Sequence, residues 1–296
     1  MSNIQPKTES APRRVLIAGC GDVGGLLATR LVARGNTVWG LRRTVAELPA
    51  GVRPLAGDLT DPARFPELPA GLDAVVYSAA PDRRDEEHYR EVYARGLERL
   101  LERLGDAGQT PRRVLFTSST GVYGQNGGEW VDEDSPTDAS SWSGRWLLEA
   151  EAALAAAPWP GVAVRFGGIY GPGRGGRLVR QARSGEPCRR EPPRYTNRIH
   201  REDCAAILEH LLELETPDRV YLGVDDDPAP RYEVLSFLRA RLGLGPPPEP
   251  GPGEETRTGR GKRCSNAGLR STGYRWLYPS FREGYSELLA RAREES

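Results

Sequence analysis

The stretch "RRVLIAGCGDVGGLLATR", residues 13–30, restricts the fold of this chain more than any other. A short β-branched run ends in glycine, and helical apolar spacing follows almost at once. Gly19, Gly21 and Gly24 stand as G-x-G-x-x-G on the turn between strand and helix. Gly19 permits the tight turn, Gly21 lets backbone approach a pyrophosphate, and Gly24 lets helix and strand pack closely. The helix N-terminus adds unpaired N–H groups and the positive end of its dipole. On the first strand–helix turn of an alternating chain, this is a dinucleotide-binding fingerprint.

The alternation continues. Strands are expected at "NTVWGLRR", "VRPLAGDL", "LDAVVYSAA", "RRVLFTSS" and "GVAVRFGGIYG", with helices at 23–35, through "EEHYREVYARGLERLLERLGDAG", and at 141–157. Apolar strands alternating with helices predict an α/β fold, a doubly wound parallel (Rossmann) sheet covered on both faces. Residues 1–12 read as a disordered leader and 13–171 as the NAD(P)-binding domain. Residues 172–296 read as a smaller C-terminal substrate lobe, discontinuous because a late strand near 219–225 returns to the sheet. The connector "PPPEPGPGEETRTGRG" reads as a flexible surface crossing.

Several classes of function are disfavoured. A formal net charge of zero gives no electrostatic hold on nucleic acid or an anionic membrane. No apolar run has the length of a membrane span, and the polar N-terminus lacks a signal-peptide core. Cys20, Cys188, Cys204 and Cys264 are scattered, so no metal site or disulfide framework follows; buried thiols in a reducing cytoplasm are expected.

At the end of the second strand, an NAD-selective site would carry an acidic residue for the ribose 2′-hydroxyl. Here stand Arg42 and Arg43, suited to a 2′-phosphate, so NADP is expected in preference to NAD. Asp58 can accept from the adenine amino group or simply form a turn. Asp22 and Val23 at the start of the first helix, with Leu59, Ser78, Ala79, Ala80, Thr117, Ser118, Phe166 and Gly167 near strand ends, complete the expected crevice.

"GDLTDP", "VVYSAA", "FTSSTGVYG", "RFGGIYGPGR" and "NRIHRED", in that order, resemble the extended short-chain dehydrogenase/reductase superfamily, and within it the atypical NAD(P)-dependent epimerase/dehydratase-like branch. The resemblance implies a Ser or Thr after the fifth strand and a Tyr-x-x-x-Lys pair on the next helix. Ser119 takes the first role. The pair falls on Ser141 and Arg145, and the motif is absent from the whole chain: the only lysines are Lys7 and Lys262, preceded four residues earlier by Asn3 and Thr258. Arg145 could hold ribose hydroxyls but stays protonated and relays nothing. Ser141 suits a helix N-cap as well as a catalytic place.

Proton transfer would fall to Tyr123, His200 or water, with packing the competing role for Tyr123 and a loop-pinning bond to Asp203 for His200. Arg174, Arg177 and Arg198 suggest an anionic substrate group, or else a solvated basic face. The implied activity is hydride transfer at a carbinol or carbonyl of a small, anionic or nucleotide-linked substrate. A non-catalytic NADP-binding redox sensor or partner protein is the alternative. Relatives also suggest a homodimer through helices near 86–107 and 141–157.

Overall fold

The computed structural model describes residues 12–173, 176–251 and 259–294, so the expected leader lies almost wholly outside the described residues. In chain order the elements begin β1 Arg14–Ala18, α1 Asp22–Ala33, β2 Thr37–Arg42, β3 Arg53–Ala56, β4 Ala74–Tyr77, α2 Glu86–Arg90, α3 Gly96–Asp106 and β5 Arg113–Ser119. They continue β6 Gly127–Val131, α4 Trp142–Ala156, β7 Gly161–Phe166, β8 Gly168–Tyr170, α5 Gly176–Ser184, β9 Arg198–His200 and α6 Arg201–Glu213. Last come β10 Val220–Gly223, α7 Arg231–Arg241, β11 Gly261–Cys264, α8 Ala267–Ser271 and α9 Phe281–Glu294.

Seven strands form one parallel sheet in the order β10-β7-β5-β4-β1-β2-β3. The chain builds outward from β1 to β3, then restarts at β4 and builds the other way. The reversal lies between β1 and β4, where an open α/β sheet leaves a crevice at the carboxyl ends of its strands.

Burial of both faces explains why β1 reads as an unbroken apolar run. Val15 and Ile17 pack with Leu27 and Leu31 of α1 and Ile207 and Leu211 of α6. Leu16 and Ala18 face the other way, against Leu97, Leu100 and Leu104 of α3 and Leu147 and Leu154 of α4. A third apolar cluster joins α5, α7 and α9 through Val179, Leu235, Leu238, Phe281 and Tyr285. The late strand β10 closes the sheet beside β7.

The structure departs from the sequence pattern in three places. The long charged helix is interrupted by a π turn at Glu91–Arg95. There the Tyr77 hydroxyl donates to the Val92 carbonyl, and a Cβ on Gly96 would lie 2.3 Å from that hydroxyl. The segment "GVAVRFGGIYG" is two strands, because β8 leaves the sheet after Gly167 to pair with β9. Finally, the proline-rich crossing runs into β11, which pairs with β6; residues 252–258 lie outside the described ones. Among the described residues no helix is long and apolar enough to cross a membrane, and no group of three His, Cys, Asp or Glu could hold a metal.

Candidate dinucleotide site

A cleft of 510 Å³ opens at the sheet's reversal point. Its floor is the turn after β1. Gly19 has φ +87°, and a Cβ there would lie 2.3 Å from the Ala79 nitrogen. The turn is pinned on both sides, since Gly19 N donates to the Leu41 carbonyl at 2.9 Å and Ser78 N donates to the Ala18 carbonyl at 2.7 Å. A Cβ on Gly24 would meet the Gly19 carbonyl at 2.6 Å, whereas one on Gly21 would meet nothing within 4 Å. Gly19 and Gly24 therefore serve the protein's own packing, and Gly21 faces open space. Gly21 caps α1 with no side-chain bond of its own, so the helix N-terminus faces the cleft.

Most residues expected at the cofactor line this cleft: Gly19, Gly21, Asp22, Val23, Arg42, Arg43, Asp58, Leu59, Ser78, Ala79, Ala80, Thr117, Ser118, Phe166 and Gly167, together with Ser119. Gly24 lies behind it. Arg42 pairs with Glu47, and the half-exposed Arg43 pairs with Asp82 at 2.7 Å. Asp82 also receives His88 Nε2 at 2.8 Å. Asp58 accepts from both the nitrogen and the hydroxyl of Thr60, at 3.0 and 2.7 Å, which makes it a turn former that still edges the cleft. Asp22 pairs with Arg201 at 2.8 Å, tying the start of α1 to the start of α6.

Thr44, Asp82, His88 and Tyr93 also line the cleft and were not singled out from the sequence. The rule that strand-end loops line the crevice could have found Thr44, just past β2, and Asp82, past β4. His88 lies just before the π turn and Tyr93 within it, and no periodicity signals that turn.

The proposed proton-handling set is not assembled. The Tyr123 side chain is buried, its hydroxyl donating to the Asp132 carbonyl and accepting from Arg165 Nη1, both at 2.7 Å. Burial pushes the phenol up to about 12, so Tyr123 is corrected to a packing residue. Ser141 caps α4, accepting from Gly144 N at 3.1 Å, and does not reach the cleft. Arg145 is corrected likewise: it sits outside the cleft, largely exposed, 3.6 Å from Glu86. Ser119 remains at the cleft wall, its hydroxyl accepting from Gly121 N at 3.1 Å and capping the short turn Thr120–Val122.

The substrate arginines do not converge either. Arg198 is 4% exposed, bonded to Thr196 and stacked over Phe281 at 5.6 Å, so it belongs to the core. Arg177 is exposed on α5 away from the cleft. Arg174 lies outside the described residues. His200 is buried, its ring 3.9 Å from that of Tyr278 and 5.2 Å from that of Tyr170. Its Nδ1 accepts from Glu202 N at 3.3 Å. The pinning role belongs to Asp203, which takes the Tyr274 hydroxyl and the nitrogens of Leu277 and Tyr278 at 2.7, 2.8 and 3.0 Å.

Burial pushes the His200 imidazole down to about 4, so it is neutral at pH 7 and lacks a proton to donate from a cationic form. A measurable consequence follows by linkage. Below the ordinary histidine pKa of about 6.5 the unfolded chain takes up a proton that the folded one refuses. Stability is therefore lost as pH falls from 6.5 to about 4, by about 3 kcal/mol at about 1.4 kcal/mol per unit. Urea midpoints across that window should fall less steeply in His200→Gln; parallel curves would remove His200 as the cause.

With this geometry in hand, the comparisons are consistent. The family model for the NAD dependent epimerase/dehydratase family matches residues 15–221. A solved structure from Methylobacillus flagellatus, provisionally described as an NAD-dependent epimerase/dehydratase, is 40% identical, with TM-score 0.79 over 96% of this chain and 100% of that one. Protein YeeZ of Escherichia coli (strain K12) is 31% identical over 90% of this chain and 97% of its own. The human epimerase family protein SDR39U1, solved with NADPH, is 26% identical, with TM-score 0.72 over 93% and 98%. The chain belongs to the NAD-dependent epimerase/dehydratase family of extended short-chain dehydrogenases/reductases.

Proposed function

We propose that the protein binds NADP(H) in the cleft and transfers hydride between the nicotinamide and a carbonyl or carbinol carbon of a small substrate. The observation that carries this reading is the pairing of an unobstructed glycine turn, at Gly21, with two arginines at the end of β2. The turn and the α1 N-terminus would hold the pyrophosphate, and Arg42 and Arg43 the 2′-phosphate. Bound there, the dinucleotide would supply a hydride donor or acceptor. The NADPH in the human relative's structure supports the choice of cofactor. Four buried thiols fit a reducing cytoplasm.

Arg43 tests the cofactor half. Its partner Asp82 is solvent-exposed, so the pair gives up little when the guanidinium turns to a phosphate. Arg43→Ala should weaken NADPH binding about tenfold, the scale of one charge-assisted contact, while NADH affinity stays level. Fluorescence titration with both nucleotides decides it, and equal loss for both would remove Arg43 from the 2′-phosphate site.

One observation favours a second reading, a non-catalytic NADP-binding sensor. The opening of α4 spends Ser141 as a cap and leaves Arg145 outside the cleft, so that helix brings no proton relay to the nicotinamide end. Retention of NADPH with no turnover of any carbonyl compound would choose the sensor.

A further inference from the structure

Arg42 and Arg43 each pair with a carboxylate, and the two partners differ in place. Glu47, the partner of Arg42, comes from the segment that follows β2 and lies outside the cleft. Asp82, the partner of Arg43 at 2.7 Å, comes from the loop after β4 and lines the cleft. In the sheet, β4 and β2 are the two neighbours of β1. The Arg43–Asp82 pair therefore bridges the strands on either side of β1, whose own carboxyl end is the glycine turn. A dinucleotide with its pyrophosphate on that turn and its adenosine ribose at the end of β2 would meet this pair.

Asp82 is held from two directions. Arg43 Nη2 donates to its Oδ2, and His88 Nε2, on α2, lies 2.8 Å from its Oδ1. Arg83 Nη2 stands 3.3 Å from the other imidazole nitrogen, Nδ1. A guanidinium can only donate, so Nδ1 accepts and the proton sits on Nε2, directed at Asp82. The bond from Arg43 holds the Asp82 carboxyl below the usual carboxylate range, so it is ionised at neutral pH. When Arg43 turns away, the carboxylate keeps its bond from His88, and its charge stays at the cleft.

Resting on the NADP(H) reading of the cleft, we infer that Asp82 is a specificity-determining residue: it competes with the 2′-phosphate for Arg43 and sets how strongly the site prefers NADP(H) over NAD(H). Binding NADP(H) exchanges one ion pair for another. The 2′-phosphate takes the guanidinium, His88 retains the carboxylate, and the two anions are left facing each other across Arg43. NAD(H) presents a hydroxyl at that place, so Arg43 and Asp82 stay paired. The carboxylate thus weakens NADP(H) binding and leaves NAD(H) binding level, a repulsive element that narrows the preference. Because Asp82 is half-exposed, salt screens the effect.

The test is Asp82→Asn in the full-length protein, titrated with NADPH and with NADH in about 50 mM and about 500 mM NaCl. Asparagine keeps an oxygen for His88 Nε2 and drops the charge. At low salt NADPH should bind about threefold tighter than to the unaltered protein, the scale of one exposed ion pair no longer given up, with NADH affinity level. The gain should shrink at high salt. Glu102→Gln, which removes an exposed carboxylate of α3 outside the cleft, should give no such gain. An unchanged ratio of NADPH to NADH affinity overturns the inference. So does weaker NADPH binding, since Asp82 would then hold Arg43 in place for the phosphate. An equal gain in Glu102→Gln also overturns it, because net charge alone would account for the change. If the unaltered protein takes up neither nucleotide, the cofactor reading itself fails; if it takes up both and the ratio stays put, the fault lies with Asp82 alone.

Discussion

Arg165→Ala should destabilise the protein by about 3–5 kcal/mol, the cost of stripping one partner from a buried ion pair. Arg165 and Glu151 lie 2.7 Å apart, with side chains only 7% and 10% exposed. The guanidinium meets both carboxylate oxygens, through Nε at 3.1 Å and Nη2 at 2.7 Å, and gives its remaining nitrogen to the Tyr123 hydroxyl. The Ser118 hydroxyl donates to the same carboxylate at 2.5 Å. Removing Arg165 leaves Glu151 desolvated beneath the cleft, with only Ser118 to answer it. Replacing both, as Arg165→Met with Glu151→Leu, removes two charges together and should cost less than the single change. Urea unfolding of both variants measures this. If the double variant is no more stable than Arg165→Ala, the network's worth lies in packing and not in charge.

That network shows where sequence reading stops. Tyr123 sits at the carboxyl end of β5, a position that a reader of the sequence fairly takes for a proton donor. What removes it from chemistry is Arg165, 42 residues later, whose side chain reaches from β7 to the loop after β5. Arg198 tells the same story. A basic run in a loop-rich segment suggests a solvated or anion-binding face, and only the packing of Phe281 from the last helix draws it into the core. Such burial is decided by long-range contacts, and charge patterning along the chain carries no trace of them.

Local features were far more legible. The glycine turn, the parallel strands that flank it and the strand-end residues of the cleft all follow from short-range rules: periodicity, turn chemistry and the topology of an open sheet. The pairing of β6 with β11 does not. Its strands are short, polar and separated by about half the chain, and neither carries the alternation of a half-buried strand.

The two glycines of the phosphate turn separate folding from binding more cleanly than any other substitution here. Gly19→Ala places a methyl 2.3 Å from the Ala79 nitrogen, at a φ of +87° that side chains resist, so β1 and the loop after β4 must part. Stability and dinucleotide binding should fall together. At Gly21, by contrast, φ is −97° and a Cβ would meet no atom within 4 Å. Gly21→Val should therefore fold, with a urea midpoint lowered less than that of Gly19→Ala, its cost coming from a ψ of −122° that side-chain-bearing residues disfavour. Its side chain would stand where the pyrophosphate must approach the α1 N-terminus. NADPH affinity should then drop on the order of 100-fold, about 2.8 kcal/mol, the worth of one or two hydrogen bonds to a charged group. Equilibrium titration beside the unfolding curves measures both quantities on one sample. Undiminished affinity in Gly21→Val would mean the dinucleotide does not lie on this turn, and the cleft would need a different occupant.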